Sequence, residues 1–286
     1  MTNYINRTLR LKFDPSLPWG SKEHYFHALH GYLLPGLHHA LAQGYRDIQF
    51  DDCGPLIQPR LYQGCALLGL NYVDPQASIT TDVYQVPRWD RYLLHFESPP
   101  PSQSLIDAYR QMATPLVQQM QSSAQSLDGG FVEGFAMNTV AVIKRSNDHP
   151  FYHLARMARF PSYGVGRTDL INAQEVAQRL SDQGIAAQVV EFGSMTLGQQ
   201  IQVAGRARAF IGIRGAEFAN VIWMRPNTHA IMLATPAREN HATRTLSRVK
   251  KVRFESVAVS ATKIWLDCVS QQTIAKLLCQ APANMT

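Results

Sequence analysis

The second half of the chain alternates short apolar runs with segments of helical periodicity, and this alternation restricts the fold more than any other feature. The apolar runs predict four strands, within NTVAVIKR, AAQVVEF, AFIGI and HAIML. The segments between them predict three helices, NAQEVAQRLSDQG, SMTLGQQIQVAGRA and AEFANVIWM, with Ser194 as the N-cap of the second. Continuous apolar strands separated by helices are typical of a parallel sheet covered on both faces. The pattern therefore predicts a doubly wound α/β domain, in which ligands bind at the carboxyl ends of the strands.

The first half is less regular but also mixes helical and extended patterns. YFHALHGYLLPGLHHALAQG predicts one helix kinked at Pro35 or two short helices, RDIQFDDCG predicts a strand and a turn, and LYQGCALLGL predicts a helix. VYQVPRWDRYLLHF predicts a pair of strands. A helix over 105–126 then precedes the glycines of SLDGGFVEG, which predict a hinge at 127–136. We therefore expect two α/β domains around a cleft, residues 1–130 and residues 131–286.

Composition and charge exclude several classes of protein. With 286 residues, of which 45% are hydrophobic and 17% charged, the chain is typical of a globular protein. The first residues hold no apolar run that suits a signal peptide, and no stretch approaches the roughly 20 apolar residues of a membrane span, so we expect a cytoplasmic protein. The formal charge of +6 suits an anionic ligand or peripheral contact with an anionic membrane, whereas the scattered lysines and arginines argue against nucleic acid.

The segment AFIGIRGAEFAN joins a predicted buried strand to a predicted helix through Arg214, Gly215 and Ala216. Small residues at such a turn allow a ligand to approach the backbone, and the helix N-terminus presents unpaired N–H groups and the positive end of its dipole. Arg214 adds a planar cation suited to phosphate or carboxylate. Lys144 and Arg145, at the end of the first strand of this half, supply two more cations. The segment therefore predicts an anion-binding site, with a tight turn and a solvated arginine as the alternative.

The first half carries the candidate catalytic bases. Its histidines before the first predicted strand are His24, His27, His30, His38 and His39. The first three lie only partly on one helical face, and no carboxylate pairs with them cleanly, so a metal site is disfavoured. A single histidine acting as general base is favoured, because imidazole titrates near neutral pH. Asp51 and Asp52 follow an apolar run, and they are either alternative bases or residues of a turn.

The second half also contains four motifs in a fixed order: VAVIKRS, RTDLINAQEVAQRL, LGQQIQVAGRARAFIGIRGAEFAN and IWMRPNTHAIML. This order resembles that of glycosyltransferase family 61 over about 100 residues, and HYFHALHGYLLPGL in the first half is a fainter match. The resemblance implies a GT-B architecture, with two Rossmann-like α/β domains facing a cleft. It further implies a nucleotide-sugar donor, a glycan or polysaccharide acceptor, inversion at the sugar, and neither metal nor cofactor. It adds Arg167 and Asn220 to the donor site and favours His27 as the base.

The chain departs from the family pattern at three positions. Arg214 stands where family members usually have His, Met232 where they usually have Glu, and Gly31 where an acidic residue often follows the histidine by four positions. Three hypotheses remain open. The first is an inverting glycosyltransferase in which His27 or an aspartate of the first half is the base, and the cations of the second half stabilise the leaving diphosphate. The second is a non-catalytic relative that binds a glycan or a nucleotide. The third is another transferase on this scaffold, such as a polysaccharide pyruvyltransferase.

Overall fold

A computed structural model of the chain contains parallel sheets and the helices that cover them. The residues whose structure is described are 7–14, 22–79, 81–94, 101–126, 134–147, 149–153, 169–234, 241–259, 263, 264, 266, 272, 274 and 278. Over these ranges, no helix combines the length and the apolar character that crossing a membrane requires.

The first half forms a parallel sheet flanked by helices. Its strands are β1 (Thr8–Lys12), β2 (Asp47–Phe50), β3 (Asn71–Val73) and β4 (Thr81–Gln85). Its helices are α1 (Tyr25–Ala28), α2 (Leu34–Ala42), α3 (Gly54–Leu67), α4 (Trp89–Leu94) and α5 (Gln103–Ser126). The strand order is β3-β2-β1-β4, so β1 has β2 on one side and β4 on the other. The segments that follow β1 and β4 therefore lie together at the carboxyl edge of this sheet.

One prediction for the first half needs correction, and a second is decided between its two alternatives. VYQVPRWDRYLLHF is not a pair of strands, because β4 is followed by the helix α4. Pro87 lacks the N–H that a longer strand would need, and Asp90 lies in the first turn of α4, where the helix dipole favours a carboxylate. Of the two alternatives for YFHALHGYLLPGLHHALAQG, the structure has one continuous helical run, with Leu29–Leu33 forming a π-turn between α1 and α2. The π-turn accommodates a proline that has no N–H to donate to the preceding turn.

The second half contains the predicted parallel sheet. Its strands are β5 (Val140–Ile143), β6 (Asp169–Leu170), β7 (Ala187–Val190), β8 (Ala209–Ile213), β9 (His229–Ala234), β10 (Arg253–Ala258) and β11 (Lys263–Ile264). Its helices are α6 (Ala173–Asp182), α7 (Leu197–Arg206) and α8 (His241–Lys250), with 3₁₀ helices at Pro150–His153, Phe192–Ser194 and Ala216–Trp223. β6 pairs with β11, and the other five strands are parallel in the order β10-β9-β8-β5-β7. The strand order therefore reverses between β5 and β8.

Two local predictions for the second half also change. AEFANVIWM forms a helix where one was expected, but it is a 3₁₀ helix. Ser194 is not the N-cap of α7, since it ends a short 3₁₀ turn and its hydroxyl donates to the carbonyl of Glu191. Thr196 is the N-cap, in a capping box with Gln199. The reciprocal hydrogen bonds of that box satisfy two helix N–H groups, which Ser194 could not do from its position.

One apolar core extends through both halves. It includes Leu11 of β1, Val117 of α5 and Met232 of β9. The helix α5 joins the halves, because it packs against α2 and α3 and also against α7 and α8. A second core, which includes Val142, covers the opposite face of the second sheet. The division into two domains stays a prediction, and residues 127–133 of the expected hinge lie outside the described residues.

Candidate active site

The carboxyl ends of β5 and β8 bring together two cationic segments that the sequence analysis selected. The strands are parallel neighbours, with Ile143 opposite Gly212. Lys144 and Arg145 follow β5, and Arg214 follows β8. These residues therefore lie side by side at the point where the strand order reverses, which is the edge of a doubly wound sheet where ligands bind. We call this region the donor edge.

A largely buried ion pair lies beside Gly215. Arg145 Nη2 is 2.9 Å from Glu217 Oε2, and the two side chains are 11% and 17% exposed. Gly215 has a φ of −173°, which any residue adopts, so what limits a side chain at this position is the space that Arg145 and Glu217 occupy. A Cβ there would lie 1.7 Å from Arg145 Nη2 and 2.3 Å from Glu217 Oε2. We expected a ligand to approach the backbone at Gly215. The Arg145 guanidinium occupies this space instead, beside the N-cap of the 3₁₀ helix Ala216–Trp223.

Lys144 of the donor edge and Arg60, a further cation that borders it, both contact the segment that follows β7. Lys144 Nζ lies 3.2 Å from Glu191 Oε1 in an exposed pair at the end of β7. Arg60 comes from α3 in the first half, and its Nη2 donates to the carbonyl oxygen of Gly193 over 3.0 Å. Its guanidinium also lies 5.5 Å from the centroid of the Tyr25 ring. Since an exposed ion pair contributes only about 0–1 kcal/mol, Lys144 can exchange Glu191 for an anionic ligand at little cost.

Helix α1 approaches the 3₁₀ helix Ala216–Trp223 from the first half. The Tyr25 hydroxyl donates to Asn220 Oδ1 over 2.9 Å. Burial raises the pKa of the Tyr25 phenol above its ordinary value, so the group keeps its proton. Asn220 is fully buried, and its Nδ2 has no hydrogen-bond partner among the described residues. Asn220, which the resemblance assigned to the donor site, therefore links the helix of His27 to the segment that begins at the donor edge.

His27 belongs to a buried hydrogen-bonded chain with two residues that the sequence analysis did not select. His27 Nδ1 lies 2.6 Å from Asp90 Oδ2. Arg88 donates to both oxygens of Asp90, through Nε over 2.7 Å and through Nη2 over 2.6 Å. Burial by itself raises the pKa of Asp90, but the hydrogen bonds from Arg88 and His27 outweigh it and bring that pKa below its ordinary value. Asp90 is therefore a carboxylate at neutral pH, held between a guanidinium and an imidazole.

Gly31 makes room for this carboxylate. A Cβ at position 31 would lie 2.1 Å from Asp90 Oδ1 and 2.5 Å from its Cγ. The family pattern often has an acidic residue at position 31, where this chain has glycine. The carboxylate of Asp90, from α4, occupies the space that a side chain at 31 would fill. Gly31 lies within the π-turn Leu29–Leu33, which directly follows the helical turn of His27. Single π-turns inside helices occur frequently at functional sites.

His30 is a buried contact between the two halves. Its Nδ1 lies 2.6 Å from the Tyr109 hydroxyl, and its Nε2 lies 3.2 Å from the carbonyl oxygen of Ala219. Because a carbonyl only accepts, Nε2 carries the proton and Nδ1 accepts from Tyr109. Burial lowers the pKa of His30 to about 3. This imidazole is therefore neutral and serves to join α5 to the 3₁₀ helix.

The two aspartates considered as alternative bases accept hydrogen bonds from backbone N–H groups of the first half. Asp51 Oδ2 accepts from the N–H of Phe13 over 3.0 Å, and Asp51 Oδ1 lies 3.6 Å from Arg10 Nη2. Asp52 Oδ1 accepts from the N–H of Gly54 over 2.9 Å, in the turn that starts α3. Both carboxylates support local structure, and their role as bases stays a prediction.

The other selected positions lie apart from these contacts. Arg167 lies outside the described residues. Met232 is fully buried in the apolar core, so the position that usually holds Glu in the family contributes packing here. The ring of His24 lies 5.8 Å from that of His27. In the part of the chain that is described, no group of three or more His, Cys, Asp or Glu side chains is arranged to hold a metal ion.

Sequence reasoning missed Arg88, Asp90 and Arg60. For Arg88 and Asp90 the sequence holds a signal, because Pro87 followed by Asp90 in PRWD is typical of a helix start and argues against the predicted pair of strands. Asp90 is also 63 positions from His27, so no local spacing relates them. Arg60 acts across the fold, and no neighbouring residue in the sequence indicates its contact with Gly193.

The family comparison extends over both sides of this site. A search of curated proteins found no match. The family model described as Glycosyltransferase 61 matches residues 25–231. The matched range begins at the start of α1, which carries His27, and ends within β9, so it contains Asp90 and the whole donor edge. Because the match extends over most of the chain, the chain belongs to glycosyltransferase family 61 and is a glycosyltransferase.

Proposed function

We propose that the chain is an inverting, metal-independent glycosyltransferase of GT-B architecture. It moves a sugar from a nucleotide-sugar donor to a hydroxyl of a glycan or polysaccharide. The observation that carries the proposal is the hydrogen bond between Tyr25 and Asn220. Tyr25 lies two residues before His27, and Asn220 lies in the 3₁₀ helix that starts at the donor edge. A candidate base of the first half is thus joined to a candidate phosphate site of the second.

The donor phosphates bind at the donor edge in this proposal. Lys144, Arg145 and Arg214 supply positive charge, and the first N–H groups of the 3₁₀ helix add hydrogen-bond donors. Arg145 is already placed beside Gly215 by Glu217, and it exchanges this carboxylate for a phosphate when the donor binds. Fixed cations at this edge stabilise the charge that grows on the leaving diphosphate.

Replacing Arg214 with alanine is expected to weaken the binding of a nucleoside diphosphate by about 1.5–3 kcal/mol, the usual contribution of a charge-assisted hydrogen bond. Arg214 is partly exposed, so the variant should fold. Isothermal titration calorimetry measures the change, and Arg179→Ala on α6, which removes an exposed cation paired with Glu175, is the matched control. A folded Arg214→Ala variant with unchanged affinity would contradict the assignment of Arg214 to the donor site.

The chemical step follows from placing the acceptor beside His27. The imidazole takes the proton of the acceptor hydroxyl while the oxygen attacks the anomeric carbon. The attack comes from the face opposite the diphosphate, so the bond to the diphosphate breaks as the new glycosidic bond forms, and the configuration inverts. The electrons of the broken bond leave with the nucleoside diphosphate. We rank His27 above Asp51 and Asp52 because both aspartates already hold backbone N–H groups of the first half.

Transfer is expected to persist in excess chelator, because arginines, a lysine and a helix N-terminus supply the charge stabilisation that a divalent ion gives in other transferases. The assay incubates the chain with a panel of nucleotide sugars and polysaccharide acceptors, with and without EDTA, and measures released nucleotide and glycoside product. Complete loss of product in EDTA, restored by Mn²⁺ or Mg²⁺, would instead reveal a metal site.

A non-catalytic binding protein is the second candidate, and one observation favours it. Glu217 places a negative charge at the donor edge and neutralises Arg145, which weakens the attraction for a diphosphate. The same assay separates the two candidates. Nucleotide binding, seen as a raised unfolding temperature, together with no turnover of any donor would favour the non-catalytic protein. Family membership favours glycosyl transfer over pyruvyl transfer.

A further inference from the structure

We propose that Asp90, held in place by Arg88, is a positioning residue that keeps the proton of the neutral His27 imidazole on Nδ1. Nε2 is then the nitrogen that takes the proton from the acceptor hydroxyl. The proposal rests on the proposed role of His27 as the base and assigns a function to two residues outside the donor edge.

The hydrogen-bond chemistry determines the tautomer. An ionised carboxylate only accepts hydrogen bonds, so the 2.6 Å contact between His27 Nδ1 and Asp90 Oδ2 requires a proton on Nδ1. The neutral imidazole then has its lone pair on Nε2, the form that a general base needs. If the proton moved to Nε2, this nitrogen would be a donor, and His27 could not accept a proton there.

The carboxylate is fixed from two sides. Arg88 binds both oxygens of Asp90, a planar arrangement that sets the orientation of the carboxylate as well as its position. Arg88 is itself held, because its Nη1 donates to the carbonyl oxygen of Asp14 over 2.7 Å and its guanidinium lies 4.2 Å from the centroid of the Phe13 ring. The residues that follow β1 therefore hold Arg88 in place, Arg88 orients Asp90, and Asp90 orients the ring of His27.

Gly31 is part of the same arrangement. The place of its missing side chain is filled by the Asp90 carboxyl group, at 2.1 Å from Oδ1. Asp90 is fully buried, and Gly31 lies in the π-turn, all of whose residues are buried. A side chain at 31 would push the carboxylate away from His27.

Stability alone does not explain a carboxylate buried between a guanidinium and an imidazole. Buried ion pairs can often be replaced by apolar side chains of similar volume with little loss of stability, because desolvation offsets their attraction. A requirement for one imidazole tautomer does explain the arrangement, since only an acceptor at this place holds the proton on Nδ1.

A double-mutant cycle tests whether Asp90 acts through His27. We expect Asp90→Asn to lower kcat by at least about tenfold with the donor KM nearly unchanged, because the amide can donate to Nδ1 and favour the wrong tautomer. In the His27→Ala background the same substitution should have no further effect on kcat. Gly31→Ala should also lower kcat in the otherwise unaltered chain, and it should have no further effect on kcat in the His27→Ala background. Asp107→Asn, which removes a carboxylate from an exposed pair with Arg110, is the control and should leave kcat unchanged.

Nitrogen NMR of the unaltered chain tests the tautomer without relying on the folding of a variant. We expect the neutral His27 ring to carry its proton on Nδ1. A proton on Nε2 would overturn the proposal, and so would an equal loss of kcat from Asp90→Asn in both backgrounds. Full turnover in His27→Ala has a separate meaning, because it contradicts His27 as the base and therefore the proposed mechanism. If the unaltered chain transfers no sugar, the proposed function is contradicted. The NMR measurement still tests which nitrogen of His27 carries the proton.

Discussion

Replacing His27 with alanine is expected to lower turnover by about 10²–10⁴-fold at saturating donor and to leave donor affinity nearly intact. The expected loss is large because the substitution removes the group that takes the acceptor proton in the transition state. His27 is 8% exposed on α1, and the donor site proposed for the second half does not include it, so ground-state binding of the donor should change little. Steady-state kinetics with the donor that the assay panel identifies measures kcat and KM separately.

Asp51→Asn and Asp52→Asn are the matched comparisons for His27→Ala. Each keeps the size of the side chain and removes a negative charge from a residue that accepts a hydrogen bond from a backbone N–H of the first half. We expect both variants to retain most of their turnover. Near-normal turnover in His27→Ala together with loss in one aspartate variant would make that aspartate the base. Normal turnover in all three would place the base elsewhere or favour the non-catalytic protein.

The stability of the chain is expected to fall by about 2 kcal/mol between pH 7 and pH 5 through His30 alone. Burial lowers the pKa of His30 from 6.5 to about 3. The unfolded chain therefore takes up a proton below pH 6.5 while the folded chain does not, so this stabilisation is complete above pH 6.5. It is lost as the pH falls from 6.5 towards 3, by roughly 1.4 kcal/mol per pH unit.

Urea unfolding at pH 7 and at pH 5 measures this loss. The difference in unfolding free energy between the two pH values should be about 2 kcal/mol smaller in His30→Gln than in the unaltered chain. His38→Gln, on the exposed face of α2, should keep the original difference. Equal pH dependence in His30→Gln and the unaltered chain would show that His30 is not a neutral contact between α5 and the 3₁₀ helix.

Strands β5, β8 and β9 of the second half could be predicted because they are almost entirely apolar, whereas β10, with the sequence RFESVA, is polar and was not predicted. AFIGI and HAIML are buried on both faces, which leaves a continuous signal in the sequence. The chain around Pro87 could not be assigned in the same way. It holds residues typical of strands, such as Val83 and Tyr84, directly before Pro87 and Asp90, which start α4.

The candidate site, too, could be predicted from the sequence only in part. The cations at the donor edge could be predicted, because their places follow from the ends of strands β5 and β8. The partners of these cations could not, since Glu217 lies 72 positions from Arg145 and no local spacing relates the two residues. Asp90 and Gly31 show the same limit, because a glycine and a carboxylate 59 positions apart in the sequence are related only by the space that they share.

A crystal structure with a bound nucleoside diphosphate would show whether the donor binds at the carboxyl ends of β5 and β8, as we propose. We expect phosphate oxygens to accept hydrogen bonds from the N–H groups of residues 215–217 and from Lys144, Arg145 or Arg214, with the Arg145–Glu217 pair opened. Phosphates bound instead at the carboxyl edge of the first sheet, beside Arg88, would contradict the account.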